Sequence, residues 1–347
     1  MFLTDLTKQE LAALISSLGE PSFRVKQIWE WLNRGIRPDY MTNLPKTLRE
    51  QLSALPFGGV EIAFKRRSER DGTVKYLFRL EDDNLVEGVL MRYHYGNTAC
   101  ISTQVGCNMG CKFCASTLNG CVRNLRVGEL LGQISAIEQD EPPQDGNIRT
   151  VTNVVLMGSG EPLDNYDNVI TFLHMVSAPD GPGISPRNIS VSTCGIVPRM
   201  ETFAQDAPHV TLSVSLHAHN DAMRSAIMPI NQVYPIADVL AAAKSYANVT
   251  GRRVVFEYAL IGGVNDSRTD ADALAKRLRG ILCHVNLIPL NPVRERGLAG
   301  VTRAEANQFC AWLTERNLSA TVRREMGTDI EGACGQLRRR VIDEVRL

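Results

Sequence analysis

Apolar positions recur at helical spacing near the start of the chain and at strand-like spacing from about residue 60 onward. Thr7 and Glu10 form a capping-box pair ahead of Leu11, Leu14, Ile15 and Leu18, and Gly19 supplies a left-handed stop, so a first helix is predicted between them. A second helix is expected to bury Val25, Ile28, Trp29 and Leu32 and to end at Gly35, and Pro45 to Leu52 predicts a third. Beyond Pro56 the period shortens. Val60 to Phe64, Val74 to Leu80 and Leu85 to Met91 have strand character, separated by turn signals at Asp71-Gly72 and Asp82-Asp83-Asn84.

From about Ala99 onward, short apolar strands alternate with amphipathic helical stretches, as in parallel βα units around one sheet or barrel. Six such strands are predicted, beginning near Cys100-Ile101-Ser102, Val154-Val155-Leu156-Met157, Ile189-Ser190-Val191-Ser192, Leu212-Ser213-Val214-Ser215, Val254-Val255-Phe256-Glu257 and Val285-Asn286-Leu287-Ile288. A full eight-unit barrel takes ~250 residues, and long loops take up part of the chain that remains here, so an α/β fold with an open, partial (β/α)6 TIM-like barrel is expected. In such folds the chemistry gathers at the C-terminal ends of the strands, which here carry Gly160-Glu161, Ser192-Thr193, Ser215-Leu216-His217 and Asn291. The expected division is residues 1–95 as a small accessory domain of helices and short strands, and residues 96–347 as the core.

Composition narrows the class. With 44% apolar and 22% charged residues the chain is neither disordered nor fibrous, and no apolar run approaches the ~20 residues of a membrane helix. The start, Met1-Phe2-Leu3-Thr4-Asp5-Leu6, lacks a basic segment followed by a long apolar stretch, so a soluble, cytoplasmic protein without a membrane partner is expected. The formal net charge is zero, so any affinity for nucleic acid must come from local patches such as Lys65-Arg66-Arg67, Arg323-Arg324 and Arg338-Arg339-Arg340. On charge alone each of these reads as a solvated surface run.

The nine cysteines are too few for a disulfide scaffold, and four of them, Cys100, Cys107, Cys111 and Cys114, fall in one short stretch. Cys107-Asn108-Met109-Gly110-Cys111-Lys112-Phe113-Cys114 is a C-x3-C-x2-C triplet placed directly after the first barrel strand. Three thiolates can hold three irons of a [4Fe–4S] cluster and leave one iron open, free to chelate the amino and carboxylate groups of S-adenosylmethionine (SAM). Two other readings stand beside this one. A zinc-dependent RNA-binding module would use Cys121 as a fourth ligand, although its spacing differs from the paired couples of zinc knuckles. An iron–sulfur electron carrier would bind neither SAM nor RNA. Gly158-Ser159-Gly160 lacks the third glycine of a dinucleotide fingerprint.

With Phe113 before its last cysteine, the triplet resembles the motif of the radical SAM superfamily. Further motifs resemble the RlmN/Cfr family of RNA methyltransferases within it. They are Gln104-Val105-Gly106-Cys107, Arg123-Asn124-Leu125, Gly158-Ser159-Gly160-Glu161-Pro162, Ser215-Leu216-His217-Ala218, Met228-Pro229-Ile230-Asn231, Asn286-Leu287-Ile288-Pro289 and Ala333-Cys334-Gly335-Gln336-Leu337. Their joint order covers nearly the whole chain. Gly160 to Pro162 and Gly19-Glu20-Pro21-Ser22-Phe23-Arg24 look more like RlmN than Cfr.

The resemblance implies a radical SAM barrel and specific roles for its residues. Cys107, Cys111 and Cys114 would hold the cluster, while Gly160, Glu161, Ser192, Ser215, Leu216, His217 and Asn291 would bind SAM. Cys334 would carry a methyl group, Cys100 would resolve the protein–RNA adduct by forming a disulfide with it, and Glu87 would remove the ring proton. Gly88 stands where the family usually has threonine, and Cys121, Cys194, Cys283 and Cys310 lie outside the motif and read as core or incidental. The implied activity is methylation of carbon 2 of an adenosine in 23S rRNA, and of one in tRNA, with two SAM per turnover. The Cfr alternative is carbon 8 of the same rRNA base. The resemblance further implies an electron donor such as a flavodoxin or ferredoxin, and a monomer.

Overall fold

The computed structural model describes residues 2–144, 146, 148–291 and 297–330. The first helix, α1 (Lys8–Ser17), starts as its capping pair demands: Thr7 N–H donates to Glu10 Oε2 at 2.8 Å, and Glu10 N–H donates to Thr7 Oγ1 at 3.3 Å. Helix α2 (Phe23–Asn33) buries Val25, Ile28, Trp29 and Leu32 and stops before Gly35, whose φ is +68°. A side chain at Gly35 would lie 2.9 Å from Gln139 Nε2, so the glycine also permits close approach to a core helix. Helix α3 (Lys46–Ser53) follows.

Three antiparallel strands come next, β1 (Glu61–Arg67), β2 (Val74–Arg79) and β3 (Leu85–Tyr93). Strand β2 is buried from Val74 to Phe78 on both faces, which is why its pattern lacks clean alternation. The chain continues through β4 (Gly96–Cys100), a separate hairpin of β5 (Gln104–Gly106) and β6 (Cys121–Asn124), α4 (Val127–Asp140) and β7 (Asn153–Leu156). Then α5 (Tyr166–Ser177), β8 (Ile189–Thr193), α6 (Val197–Asp206), β9 (Thr211–Ser215), α7 (Asp221–Ile227) and α8 (Ile236–Thr250) alternate. The described core closes with β10 (Val254–Leu260), α9 (Arg268–Leu278), β11 (Cys283–Pro289), α10 (Arg303–Glu315) and β12 (Ala320–Val322).

These strands form one ten-stranded sheet in the order β1-β2-β3-β4-β7-β8-β9-β10-β11-β12. It is antiparallel up to β4 and parallel from β4 onward. All six expected barrel strands are present. The parallel series gains a seventh, β12, whose three residues are too short for periodicity to reveal. The first barrel strand lies earlier than expected: it ends at Cys100, and Ile101 and Ser102 follow it. Strands β1 to β3 continue the same sheet rather than standing apart from it.

Leu156, Val191, Val214, Phe256 and Leu287 share a core with Phe172, Phe203, Tyr246 and Phe309 of the surrounding helices. The inner face is more polar. Ser190 and Ser213 share a hydrogen bond of 2.9 Å, and Asn286 Nδ2 donates to Glu257 Oε1 at 3.4 Å. The segment after β12 returns to the β1–β2 turn, where Gly327 N–H donates to Asp71 Oδ2 at 2.8 Å and Ser68 Oγ donates to Asp329 Oδ1 at 2.6 Å. Among the described residues no helix is long and apolar enough to cross a membrane.

Candidate active site

The site begins where β4 and β7 end. Ser102 Oγ donates to the Glu87 carbonyl at 2.7 Å and accepts from Ser159 N–H at 2.9 Å, and the Gln133 side chain of α4 bonds both backbone groups of Ser102. The two loops are so close that a Cβ on Gly158 would lie 2.7 Å from Ile101 C and Ser102 N. Gly160, at φ +111°, would bring one to 2.6 Å from Gln104 N. These glycines serve loop packing, a different use from a phosphate-cradling fingerprint. Glu161 is buried; its N–H donates to Gln104 Oε1 at 2.8 Å. Its carboxylate accepts from Leu163 N–H at 3.0 Å and Cys194 N–H at 2.7 Å, bracing β7 against the end of β8. Burial pushes this carboxyl above its ordinary range.

The cysteine triplet occupies the loop between β5 and β6, a hairpin the hydrophobic pattern does not reveal. Cys107 N–H donates to Gly120 O at 3.0 Å, and Cys121 N–H donates to Asn108 Oδ1 at 2.8 Å. Gly106 has φ +85°, and a Cβ there would meet Gly120 O at 2.0 Å, so only glycine fits. Cys107 and Cys111 are buried and Cys114 half-buried. Around Cys111 lies a small apolar cluster of Cys194, Ile227, Met228 and Ile261, with Met109 and Phe113 packed on it.

Phe113 meets His217 edge-on, with ring centroids 4.8 Å apart. This ties the loop to the end of β9. His217 sits at φ 57°, held by Asn265 Nδ2 donating to its carbonyl at 2.8 Å, and its Nδ1 accepts from Ala259 N–H at 2.9 Å. That bond assigns the proton to Nε2. Burial, reinforced by the charge of Arg224, lowers the imidazole to about 3, so it is neutral at physiological pH.

Burial pushes the Cys107 thiol up to about 12 and Cys111 above its ordinary value, so without a cation both stay protonated. Three thiols on one loop, in apolar surroundings beside strand ends, are a donor set that fits an iron–sulfur cluster, whose soft irons displace those protons. Among the described residues no three His, Cys, Asp or Glu side chains gather so as to hold a single ion. A multi-iron cluster spreads its thiolates over separate irons.

The remaining predicted residues fall in three groups. Ser192 and Ser215 are half-buried on β8 and at the end of β9, Leu216 is buried, and Asn291 is exposed just beyond β11. Glu87 and Cys100 come together on neighbouring strands. Cys100 pairs with Val89, two residues along β3 from Glu87, so all three share one face of the sheet. Both Glu87 and Cys100 are buried, and Lys75 Nζ of β2, also buried, lies 3.3 Å from Glu87 Oε2. At Gly88 a Cβ would be 2.6 Å from Phe78 Cε2, so the phenyl ring fills the space a threonine would need. Cys334 and Arg338-Arg339-Arg340 lie outside the described residues. Arg123 is engaged in ion pairs, with Glu129 at 2.8 Å and Asp82 at 2.6 Å.

Sequence reasoning missed Arg224; it read Cys194 as core or incidental, and the residue is buried, but its backbone also takes part in the site. Cys194 donates its N–H to Glu161, and its carbonyl accepts from Arg224 at 2.6 Å. The sequence offered only a weak signal: Arg224 lies three residues before Ile227 and so shares a face with it on a short helix, and the structure shows that face to be buried.

Comparison with known proteins agrees with this geometry. Residues 101–274 match the radical SAM superfamily, and residues 1–56 match the ribosomal RNA large subunit methyltransferase N-terminal domain. A Thermoanaerobacter sp. (strain X514) protein named "Probable dual-specificity RNA methyltransferase RlmN" is 47% identical over 345 residues, covering 99% of both chains. Its namesake from Alkaliphilus oremlandii is 49% identical over 340 residues, covering 97% of both. The crystal structure of a radical SAM methyltransferase from Sphaerobacter thermophilus superposes with a TM-score of 0.91 at 42% identity, covering 97% of this chain and 98% of that one. With 47% and 49% identity to these relatives across almost its whole length, the chain belongs to the RlmN family of radical SAM methyltransferases.

Proposed function

We propose that the chain methylates carbon 2 of a specific adenosine in 23S rRNA, and of an adenosine in tRNA, through a methyl group first carried on Cys334. What carries the reading is the gathering of the cysteine loop, Glu161 and His217 at the strand ends, with Glu87 and Cys100 on adjoining strands. Relatives bearing the dual-specificity RNA methyltransferase name support the substrate class.

Cys107, Cys111 and Cys114 hold the [4Fe–4S] cluster, and Gly160, Glu161, Ser192, Ser215, Leu216, His217 and Asn291 surround SAM. When bound, the cluster supplies the electron that opens the sulfonium of SAM to a hydrogen-abstracting radical. Neutral His217 offers an Nε2–H donor without adding a cation next to the sulfonium. Cys334 would take a methyl from one SAM by displacement. A radical derived from a second SAM would remove one hydrogen from that methyl, the resulting carbon radical would bond the electron-poor ring carbon, and one electron would pass from the adduct back to the oxidised cluster. Glu87 removes the ring proton. The Cys100 thiolate then attacks the Cys334 sulfur; the S–S bond forms as the S–C bond breaks, and that electron pair and a proton end on the new methyl. A base stacked within folded RNA cannot reach buried cysteines, so the adenosine is drawn out, with residues 1–95 serving as the RNA-binding domain. A flavodoxin- or ferredoxin-like electron donor and action as a cytoplasmic monomer complete the proposal.

Mass spectrometry of protein produced with SAM should find a methyl on Cys334. After anaerobic incubation with rRNA and tRNA, nucleoside analysis should find 2-methyladenosine. Methyl only on another residue under turnover conditions rejects the carrier, and 8-methyladenosine instead rejects the ring position.

A further inference from the structure

We infer that Arg224 is a positioning residue whose buried positive charge, fixed behind the cysteine loop, sets the reduction potential of the cluster held by Cys107, Cys111 and Cys114. The inference rests on the reading of those cysteines as cluster ligands.

The Arg224 side chain is fully buried. Each of its five N–H donors ends on a neutral oxygen. Nε donates to Leu216 O at 3.2 Å; Nη1 donates to Asn231 Oδ1 at 3.0 Å and Tyr234 O at 3.2 Å; Nη2 donates to Cys194 O at 2.6 Å and Ser215 O at 3.1 Å. The fork therefore clamps the end of β8, the end of β9 and the turn after α7. That turn in turn supports the cysteine loop. Lys112 N–H donates to Ile227 O at 2.9 Å, and a Cβ on Gly110 would lie 3.4 Å from Pro229 Cγ.

Hydrogen bonding satisfies the donors but leaves the charge. Asp221, whose Oδ1 accepts from Asn231 Nδ2 at 3.1 Å, offsets part of that charge from one residue away, but a buried cation bonded directly only to neutral groups is still costly, and neutral side chains could bond the same carbonyls. What a neutral donor could not do is act electrostatically on the loop. Arg224 Nη2 bonds the carbonyl of Cys194, a residue that shares one small apolar cluster with Cys111, so the cation sits directly behind the loop. A cube with three thiolates is anionic and gains a further negative charge on reduction, so a fixed cation at low dielectric favours the reduced form.

The test is an EPR-monitored redox titration of the full chain, reconstituted anaerobically with iron and sulfide. At the potential where half the wild-type cluster is reduced, Arg224→Met should lower the reduced-to-oxidised ratio about tenfold. Arg224→Lys, which keeps the charge and loses the fork, should hold that ratio near wild type while melting at lower temperature. Asn231→Asp sets a carboxylate against the intact guanidinium and should lower the ratio as Arg224→Met does. An unchanged ratio in an iron-replete Arg224→Met protein overturns the inference and leaves Arg224 a structural clamp. If Arg224→Met takes up no iron, Asn231→Asp decides in the same way. Wild-type chain that binds no iron and sulfide rejects the cluster reading itself.

Discussion

The N-terminal helices and the cysteine loop are organised on different principles. Helix α1 carries its own start and stop, with Thr7 and Glu10 three residues apart and Gly19 at φ +73° just past its end. The loop holds its shape through residues far along the chain. Lys112 bonds to Ile227 and Phe113 meets His217 edge-on, while Glu161 holds Cys194 in the cluster that surrounds Cys111. A locally specified element tolerates the loss of one contact. A loop held by the ends of β9 and α7 depends on each of its remote partners, and such over-determination is what can hold a buried, neutral histidine at a positive φ.

This contrast can be broken at graded cost. Cys111→Ala should bring the largest loss: iron and sulfide content of the anaerobically reconstituted chain should fall to background and methylation of RNA below detection, and retention of a full cluster would place the ligands elsewhere. Glu161→Gln comes next. The amide offers one acceptor where the carboxylate serves two backbone N–H groups, so a buried donor is left unsatisfied, at a cost of about 2–3 kcal/mol. Thermal denaturation of the metal-free chain measures it, and an unchanged midpoint would mean that β7 and β8 do not need the brace. Thr7→Ala should be the mildest, removing one cap for about 1 kcal/mol, with iron content equal to wild type. A fall in cluster loading on that substitution would erase the distinction between the two regions.

How much was legible follows the same division. The three N-terminal helices, the three antiparallel strands and six barrel strands were readable because their signals lie within a few residues of one another. The β5–β6 hairpin and β12 were not, each contributing only three or four residues to a ladder. The cysteine triplet stood out by spacing, and family resemblance extended it to Glu87, Cys100 and the positions proposed to bind SAM. Arg224 escaped because a lone arginine on a seven-residue helix reads as surface charge until its surroundings are known. Cys194 escaped because its part is played by its backbone.

By itself the sequence determined the donor chemistry and the boundaries of the locally capped helices, since covalent spacing and short-range hydrogen bonds need no distant partner. Only the tertiary structure decided that Gly158 must be bare against Ile101, that Lys75 faces Glu87 in the interior, and that the Arg224 guanidinium bonds only to neutral oxygens. Close approach and local dielectric are properties of atoms gathered from remote parts of the chain, and no stretch of it contains them alone.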